Sequence, residues 1–403
     1  MAGILGLRDA GNLPLRRRAV KARCSGRWHN GDLSAVLLFP MSETLQTRAR
    51  EILAGVVDPH TGKDLVASGA VRGVGASGAD VSVDILLGYP ALSAQAAIAD
   101  AAKRALEADA AIAHAAVSVS CRVFAHEVQQ GLTPLPNVKN VIAVASGKGG
   151  VGKSTVAANL ALALQAEGAS VGLLDADIYG PSQVRMLGLS GRPDSPDGKH
   201  IEPKRGHGLQ AMSIGLMIEE DTAMIWRGPM ATQALQQMLG DTNWSDLDYL
   251  VIDLPPGTGD IQLTLCQRIP VSGAIIVTTP QDIALLDAKK ALKMFEKVKV
   301  PVLGIVENMA THVCTNCGHE EHVFGEGGGA RMAEQYEVPL LGSLPLDIRI
   351  REQADGGTPT VAAMPDSDLA ARYRQIARNA AAHLALRARN KAISFPKIVV
   401  QNT

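Results

Sequence analysis

The stretch Gly147-Lys148-Gly149-Gly150-Val151-Gly152-Lys153-Ser154 constrains this chain more than any other. It satisfies G-x-x-x-x-G-K-[ST] between the two flanks that such a loop needs. An apolar run ends at Ser146, and a helix-period stretch opens near Ser154 with Val156, Leu160, Ala163 and Leu164 on one face. Glycines let the backbone curl so that its N–H groups point at phosphate oxygens, and the helix N-terminus adds favourable partial charge. Lys153 neutralises the β and γ phosphates, and Ser154 ligates Mg²⁺. The segment from Gly147 to Thr155 is therefore the candidate nucleotide-binding loop, with ATP and Mg²⁺ as the expected ligands.

The surroundings of the loop set the fold class. Short apolar runs at 141–145, 171–174, 209–214, 249–253, 274–278, 302–306 and 340–344 alternate with longer helical segments. Near-continuous Val/Ile/Leu runs of that length suit strands buried on both faces, which predicts a mostly parallel sheet with helices on either side, an α/β domain over 140–390. Two of these strands end in acids: Asp175 and Asp177 follow the second, and Asp253, then Pro255-Pro256-Gly257, closes the fourth. Acids at strand ends emerge at the carboxyl edge of the sheet, where ligand sites of such folds lie. Asp253 fits the residue that holds Mg²⁺ through water, and Gly257 offers a backbone N–H to the γ-phosphate.

Ahead of this domain, 41–128 reads as a small α+β unit. A helix is expected over 45–56, a strand over 81–87, an alanine-rich helix over 93–110 and a strand over 115–123, with a turn at Asp58-Pro59-His60. Residues 129–139, with Gly131, Pro134 and Pro136, read as a linker, and 391–403 as an extended tail containing Pro396. The first 40 residues hold seven Lys/Arg against Asp9 and Asp32 and show little apolar periodicity. Three readings fit them: a basic arm, a transit peptide, or sequence upstream of a start at Met41. The last is preferred, because a segment of this composition has little to bury.

Composition narrows the partners. The basic start carries net +5 of a total of −1, so the body is mildly acidic, and aromatics make up only 3%. Neither the electrostatic footprint of a nucleic-acid binder nor a stacking platform is present. No apolar run is long enough for a membrane span. Five cysteines without a regular framework point to a reducing compartment, read as the cytoplasm.

Only Cys314 and Cys317 stand at a spacing that carries chemistry, in Val313-Cys314-Thr315-Asn316-Cys317-Gly318-His319. Two thiolates grip one face of a metal or cluster, but a complete site wants more ligands. A two-fold dimer supplies four. Zinc held with His319 and His322, or His312, from one subunit is a second reading, and a redox dithiol a third; the spacing alone leaves all three open. Cys24, Cys121 and Cys266 have no ligand spacing, and Cys266 reads as helix core.

Lys148, a second lysine early in the loop, resembles the signature of the MinD, ParA and nitrogenase iron protein superfamily, whose lysine crosses a dimer interface to the partner's phosphates. The wider set is Asp-Ala-Asp-Ile-Tyr-Gly-Pro-Ser at 175–182, Arg227-Gly228-Pro229-Met230, Asp-Leu-Pro-Pro-Gly-Thr-Gly-Asp at 253–260, Glu307-Asn308-Met309, the cysteine pair and Pro345-Leu346-Asp347. In this order it resembles the Mrp/ApbC iron-sulfur cluster carrier family from about Met41 onward. The resemblance implies a homodimer whose Cys314 and Cys317 bridge a [4Fe-4S] cluster passed to apo-proteins, with slow ATP hydrolysis. It further implies that Lys148 acts in trans, that Asp177 orients the attacking water and Asp175 supports the metal shell, and that Asn308 and 345–347 lie beside the adenine. Residues 41–128 resemble the small iron-sulfur assembly domain often fused ahead of these ATPases. His60 replaces its usual Glu, and Tyr89-Pro90-Ala91-Leu92 lacks its Cys, so docking is the expected role. The competing reading is a positioning ATPase like MinD or ParA with a structural zinc site.

Overall fold

The computed structural model describes residues 38–217, 228–314 and 316–389. The basic start, Cys24, Arg227 and the expected tail 391–403 lie outside these residues. The small unit opens with α1 (Leu38–Leu53), which runs through Met41, followed by β1 (Val71–Ser77), β2 (Asp80–Leu87), α2 (Gln95–Glu107) and β3 (His114–Cys121). β1 pairs antiparallel to β2, and β2 pairs parallel to β3. The alternating apolar residues Val81, Val83, Ile85 and Leu87 of β2 are all buried, as a strand with one wet face requires. β1 was not anticipated: Val71-Arg72-Gly73-Val74-Gly75 has two glycines where a strand pattern wants side chains to pack.

The larger unit contains β4 (Val138–Ala145), α3 (Lys153–Ala166), β5 (Val171–Asp175), α4 (Gln183–Met186), β6 (Lys204–Gly206), β7 (Leu209–Ser213), α5 (Gly228–Asp241), β8 (Leu247–Asp253), α6 (Asp260–Arg268), β9 (Gly273–Thr278) and α7 (Asp282–Lys297). After these come β10 (Val302–Glu307), β11 (His312–Val313), β12 (Glu320–Glu321), α8 (Gly328–Gln335), β13 (Leu340–Ser343), α9 (Ile348–Asp355), α10 (Thr360–Ala363) and α11 (Asp368–Ala385). Its eight-stranded sheet has the order β13-β10-β9-β4-β8-β5-β7-β6, parallel throughout except for β6, which pairs antiparallel to β7 at one edge. All seven expected strands are present, and the three-residue β6 is the addition.

Two cores flank the sheet. Along β4, Ile142 and Val144 face one core with α3 and α11, while Val141, Ala143 and Ala145 face the other with α5, α6, α7 and α8. The expectation of a one-sided helix after the phosphate loop is corrected here. α3 is buried over its whole circumference from Val156 to Leu164, because α11 covers the side that the sheet leaves free. The segment expected to be a plain linker is also tied down. Gln129 donates to the carbonyls of Cys266 and Ile269 and accepts from the N–H of Val271, and Val138 is already paired in the sheet with Leu247.

The small unit sits on the far ends of α3 and α11. Ser93 donates through N–H and Oγ to the Glu167 carboxylate at 3.0 and 2.6 Å, and Arg378 of α11 pairs with the same carboxylate at 2.5 Å. Arg378 Nε also donates to His60 Nε2 at 3.1 Å, which leaves the ring proton on Nδ1 to donate to Asn379 Oδ1 at 2.8 Å. The Asp58 turn that carries His60 is itself fixed by donation from Tyr89 Oη and Thr61 Oγ1.

Candidate functional site

β4 delivers the chain to the carboxyl edge of the sheet, between β8 and β9, and the loop 146–152 turns it into α3. Gly150 and Gly152 take φ of +80° and +81°, a region that side-chain-bearing residues avoid. A Cβ on Gly152 would also meet Asn308 Nδ2 at 2.2 Å, and that same amide donates to the Val151 carbonyl at 2.8 Å. Asn308 thus locks the loop from the end of β10. Gly147 has a different reason to be glycine: a Cβ there would lie 2.1 Å from the backbone carbon of Asp287 in α7.

Lys153 is buried, with Nζ 2.5 Å from Asp253 Oδ1, 3.9 Å from Asp177 Oδ2 and 3.2 Å from Ser154 Oγ. The ends of β5 and β8 therefore bring Asp175, Asp177 and Asp253 together around the loop lysine and serine. Asp175 is fully buried and accepts from the N–H groups of Asp177 and Gln183 and from Ser213 Oγ. Burial, and then the charge of Asp253, push its carboxyl above the ordinary carboxylate range. Burial likewise raises Asp177, against the pull of Lys153. Ser154 Oγ and the Asp253 carboxylate, both bonded to Lys153 Nζ, set hard oxygens beside the phosphate loop, the donor type that Mg²⁺ takes. Gln183 was missed by sequence reasoning, although it directly follows the Gly-Pro-Ser of the acidic motif. It donates to Asp253 Oδ2 at 2.8 Å and to the Ser154 carbonyl at 2.9 Å.

Two expected contacts are arranged differently. Lys148 Nζ is held within its own chain by Gln281 Oε1 at 3.3 Å. The Gly257 N–H, read as a free donor for phosphate, is engaged by the Ser146 carbonyl at 3.0 Å. A phosphate contact requires each to leave that partner.

Gly152, Thr155, Asn308, Pro345 and Asp347, residues far apart in the chain, line one cavity of about 210 Å³ with Met186, Leu346 and Ile350. Its apolar walls suit a flat heteroaromatic ring. Asp347 caps α9 by accepting from Arg349 N–H and pairs with the Arg349 guanidinium, which holds its carboxyl below the usual range.

Cys314 and Cys317 occupy the tip of a short hairpin made by the antiparallel pair β11–β12. Cys314 N–H donates to the His319 carbonyl, and Gly318 N–H, at φ +72°, donates to the Cys314 carbonyl. Both thiols are free, Cys314 half-buried and Cys317 exposed. Backbone N–H groups of Cys317 and Asn316, with the Cys317 side chain, hold the Cys314 thiol below its ordinary value. Among the described residues no three His, Cys, Asp or Glu side chains converge to hold a metal within one chain. His312 and His322 bond through Nδ1 to the carbonyls of Leu346 and Ala310, which leaves the Nε2 of each ring clear of those bonds. The hairpin base is stitched to the cavity, because Leu346 N–H donates to the Thr311 carbonyl at 2.7 Å. Cys266 is core, as expected, and burial pushes its thiol up to about 12.

Comparison with known proteins identifies relatives of both units. Residues 46–119 match the family described as iron-sulfur cluster assembly protein. The chain is 50% identical over 344 residues to the iron-sulfur cluster carrier protein of Haemophilus influenzae, covering 84% of this chain and 92% of that protein. It is 64% identical over 248 residues to the iron-sulfur cluster carrier protein of Escherichia coli K12, covering 61% of this chain and 67% of that one. Among solved structures, the nucleotide-binding protein from Archaeoglobus fulgidus in complex with ADP is 38% identical, with a TM-score of 0.50, covering 58% of this chain and 91% of that one. Residues 137–381, more than half the chain, match the family described as NUBPL iron-transfer P-loop NTPase, and the chain belongs to that family.

Proposed function

We propose that this protein is an ATP-binding carrier that receives an iron-sulfur cluster as cargo on Cys314 and Cys317 and hands it to apo-proteins. The observation that carries this reading is the joining of the two sites. The cysteine hairpin hangs from Thr311 and His312, which bond to Leu346, and Leu346 lines the cavity beside the phosphate loop. A nucleotide that moves 345–347 pulls directly on the hairpin.

Each chain presents two thiolates, and a [4Fe-4S] cluster takes four, so the cargo is held by a two-fold homodimer. Across the same interface Lys148, released from Gln281, serves the partner's phosphates. Lys153 and Ser154 hold the β and γ phosphates and Mg²⁺, with Asp253 and Asp175 behind them, and Asp177 orients the attacking water. Hydrolysis is slow and resets the dimer rather than transforming a metabolite. Among the described residues no helix is long and apolar enough to cross a membrane, and the cytoplasm is the proposed location.

The test is iron, acid-labile sulfide and zinc per dimer on anaerobically reconstituted protein, beside the Cys314→Ala/Cys317→Ala variant. About four iron and four sulfide per dimer, lost in the variant while ATP binding survives, is the expected result. Stoichiometric zinc, or identical metal content in the variant, overturns it.

A further inference from the structure

Gln183 opens the single turn α4 directly after the motif that ends in Ser182, and it is 2% exposed. Its groups reach three elements of the phosphate site. The backbone N–H donates to Asp175 Oδ2 at 3.0 Å, and Nε2 donates to Asp253 Oδ2 at 2.8 Å and to the Ser154 carbonyl at 2.9 Å. Both of those side-chain partners are acceptors only, so the amide cannot be turned round, and its orientation is fixed chemically. That leaves Oε1, which is buried without any partner, as is the neighbouring Ser182 Oγ.

A buried acceptor left without a donor is costly. No described side chain donates to it. What enters a nest of carboxylates bringing hydrogen-bond donors is the water shell of a divalent cation, since Mg²⁺ keeps several of its waters. We propose that Gln183 is a positioning residue for the divalent cation of the nucleotide site. Nε2 fixes the Asp253 carboxylate, and Oε1 would accept a hydrogen bond from a water on the bound cation. The inference rests on the ATP-binding reading above and adds to it a residue that links Asp175, Asp253 and Ser154.

The experiment uses the full chain and a fluorescent ATP analogue, with affinity measured first in EDTA and then as a function of Mg²⁺ at fixed nucleotide. Gln183→Met keeps length and volume but removes both polar atoms. It is expected to bind metal-free nucleotide within about twofold of wild type while its Mg²⁺ midpoint rises about tenfold or more, the usual range for losing a group behind a metal ligand. Gln183→Asn, which withdraws the amide by one methylene, serves if Gln183→Met does not fold, with a midpoint raised at least about threefold. An unchanged Mg²⁺ midpoint in the folded variant, or a parallel loss of metal-free binding, overturns the proposal. A wild-type chain that binds no nucleotide under either condition overturns the parent reading instead.

Discussion

Lys153 is 6% exposed and lies between Asp253, fully buried, and Asp177. Without nucleotide its ammonium is the counter-charge of the site, so the loop lysine has a structural task as well as a phosphate to bind. Breaking a buried ion pair by removing one partner typically costs about 3–5 kcal/mol. Lys153→Ala is therefore expected to destabilise the nucleotide-free chain by about 3 kcal/mol in urea denaturation, and an unchanged midpoint would contradict this. Such residues were legible in the sequence because each terminates a strand or opens a helix at a fixed place in a motif. Gln183 was not, since a glutamine after Pro-Ser reads only as the start of a helix. Its meaning comes from Asp253, 70 residues away in the chain. The engaged Gly257 N–H was invisible for the same reason: its partner Ser146 belongs to another strand's loop.

Elements were easier to read than their neighbours. The seven long parallel strands announced themselves as Val/Ile/Leu runs, whereas β1 with its glycines and β6 with three residues at an edge did not. Burial of α3 on every side could not be inferred from its own periodicity, because α11, 200 residues later, supplies the cover. Packing between elements also separates glycines that look alike. Gly147 abuts the backbone of α7, where nothing can rotate aside, while a Cβ on Gly149 would have no atom within 4 Å. Gly147→Ala is expected to lose about 1–3 kcal/mol, as overpacked positions do, and to weaken nucleotide binding, with Gly149→Ala within about 0.5 kcal/mol of wild type. Equal melting temperatures for the two would refute the packing argument.

At the scale of the molecule, the departure His60, read from the sequence as arguing for docking, lies in the seat between the two units. Its ring is neutral, with Nδ1–H toward Asn379 and Nε2 toward Arg378. Burial lowers its pKa below the ordinary 6.5, and the nearby Arg378 charge adds to this, against the bond to Asn379 and the charges of Asp58 and Glu167. The unfolded chain then binds the proton more readily, so this contribution to stability is complete above about pH 6.5 and is lost as pH falls through the folded value. His126 and His383, lowered by burial too, act in the same direction. The urea midpoint is expected to fall between about pH 7 and pH 5, less steeply in His60→Gln; equal slopes would place the pH response elsewhere. The same seat has a mechanical side. α3 starts at Lys153 and its C-cap is Glu167, the carboxylate that grips Ser93 and Arg378. Its 14 residues make a rod about 21 Å long, and a tilt of about 5° at one end swings the other by about 2 Å. That swing is comparable to the 2.6 Å bond from Ser93 to Glu167, so a single unbroken rod joins the phosphate loop to the grip that holds the small unit.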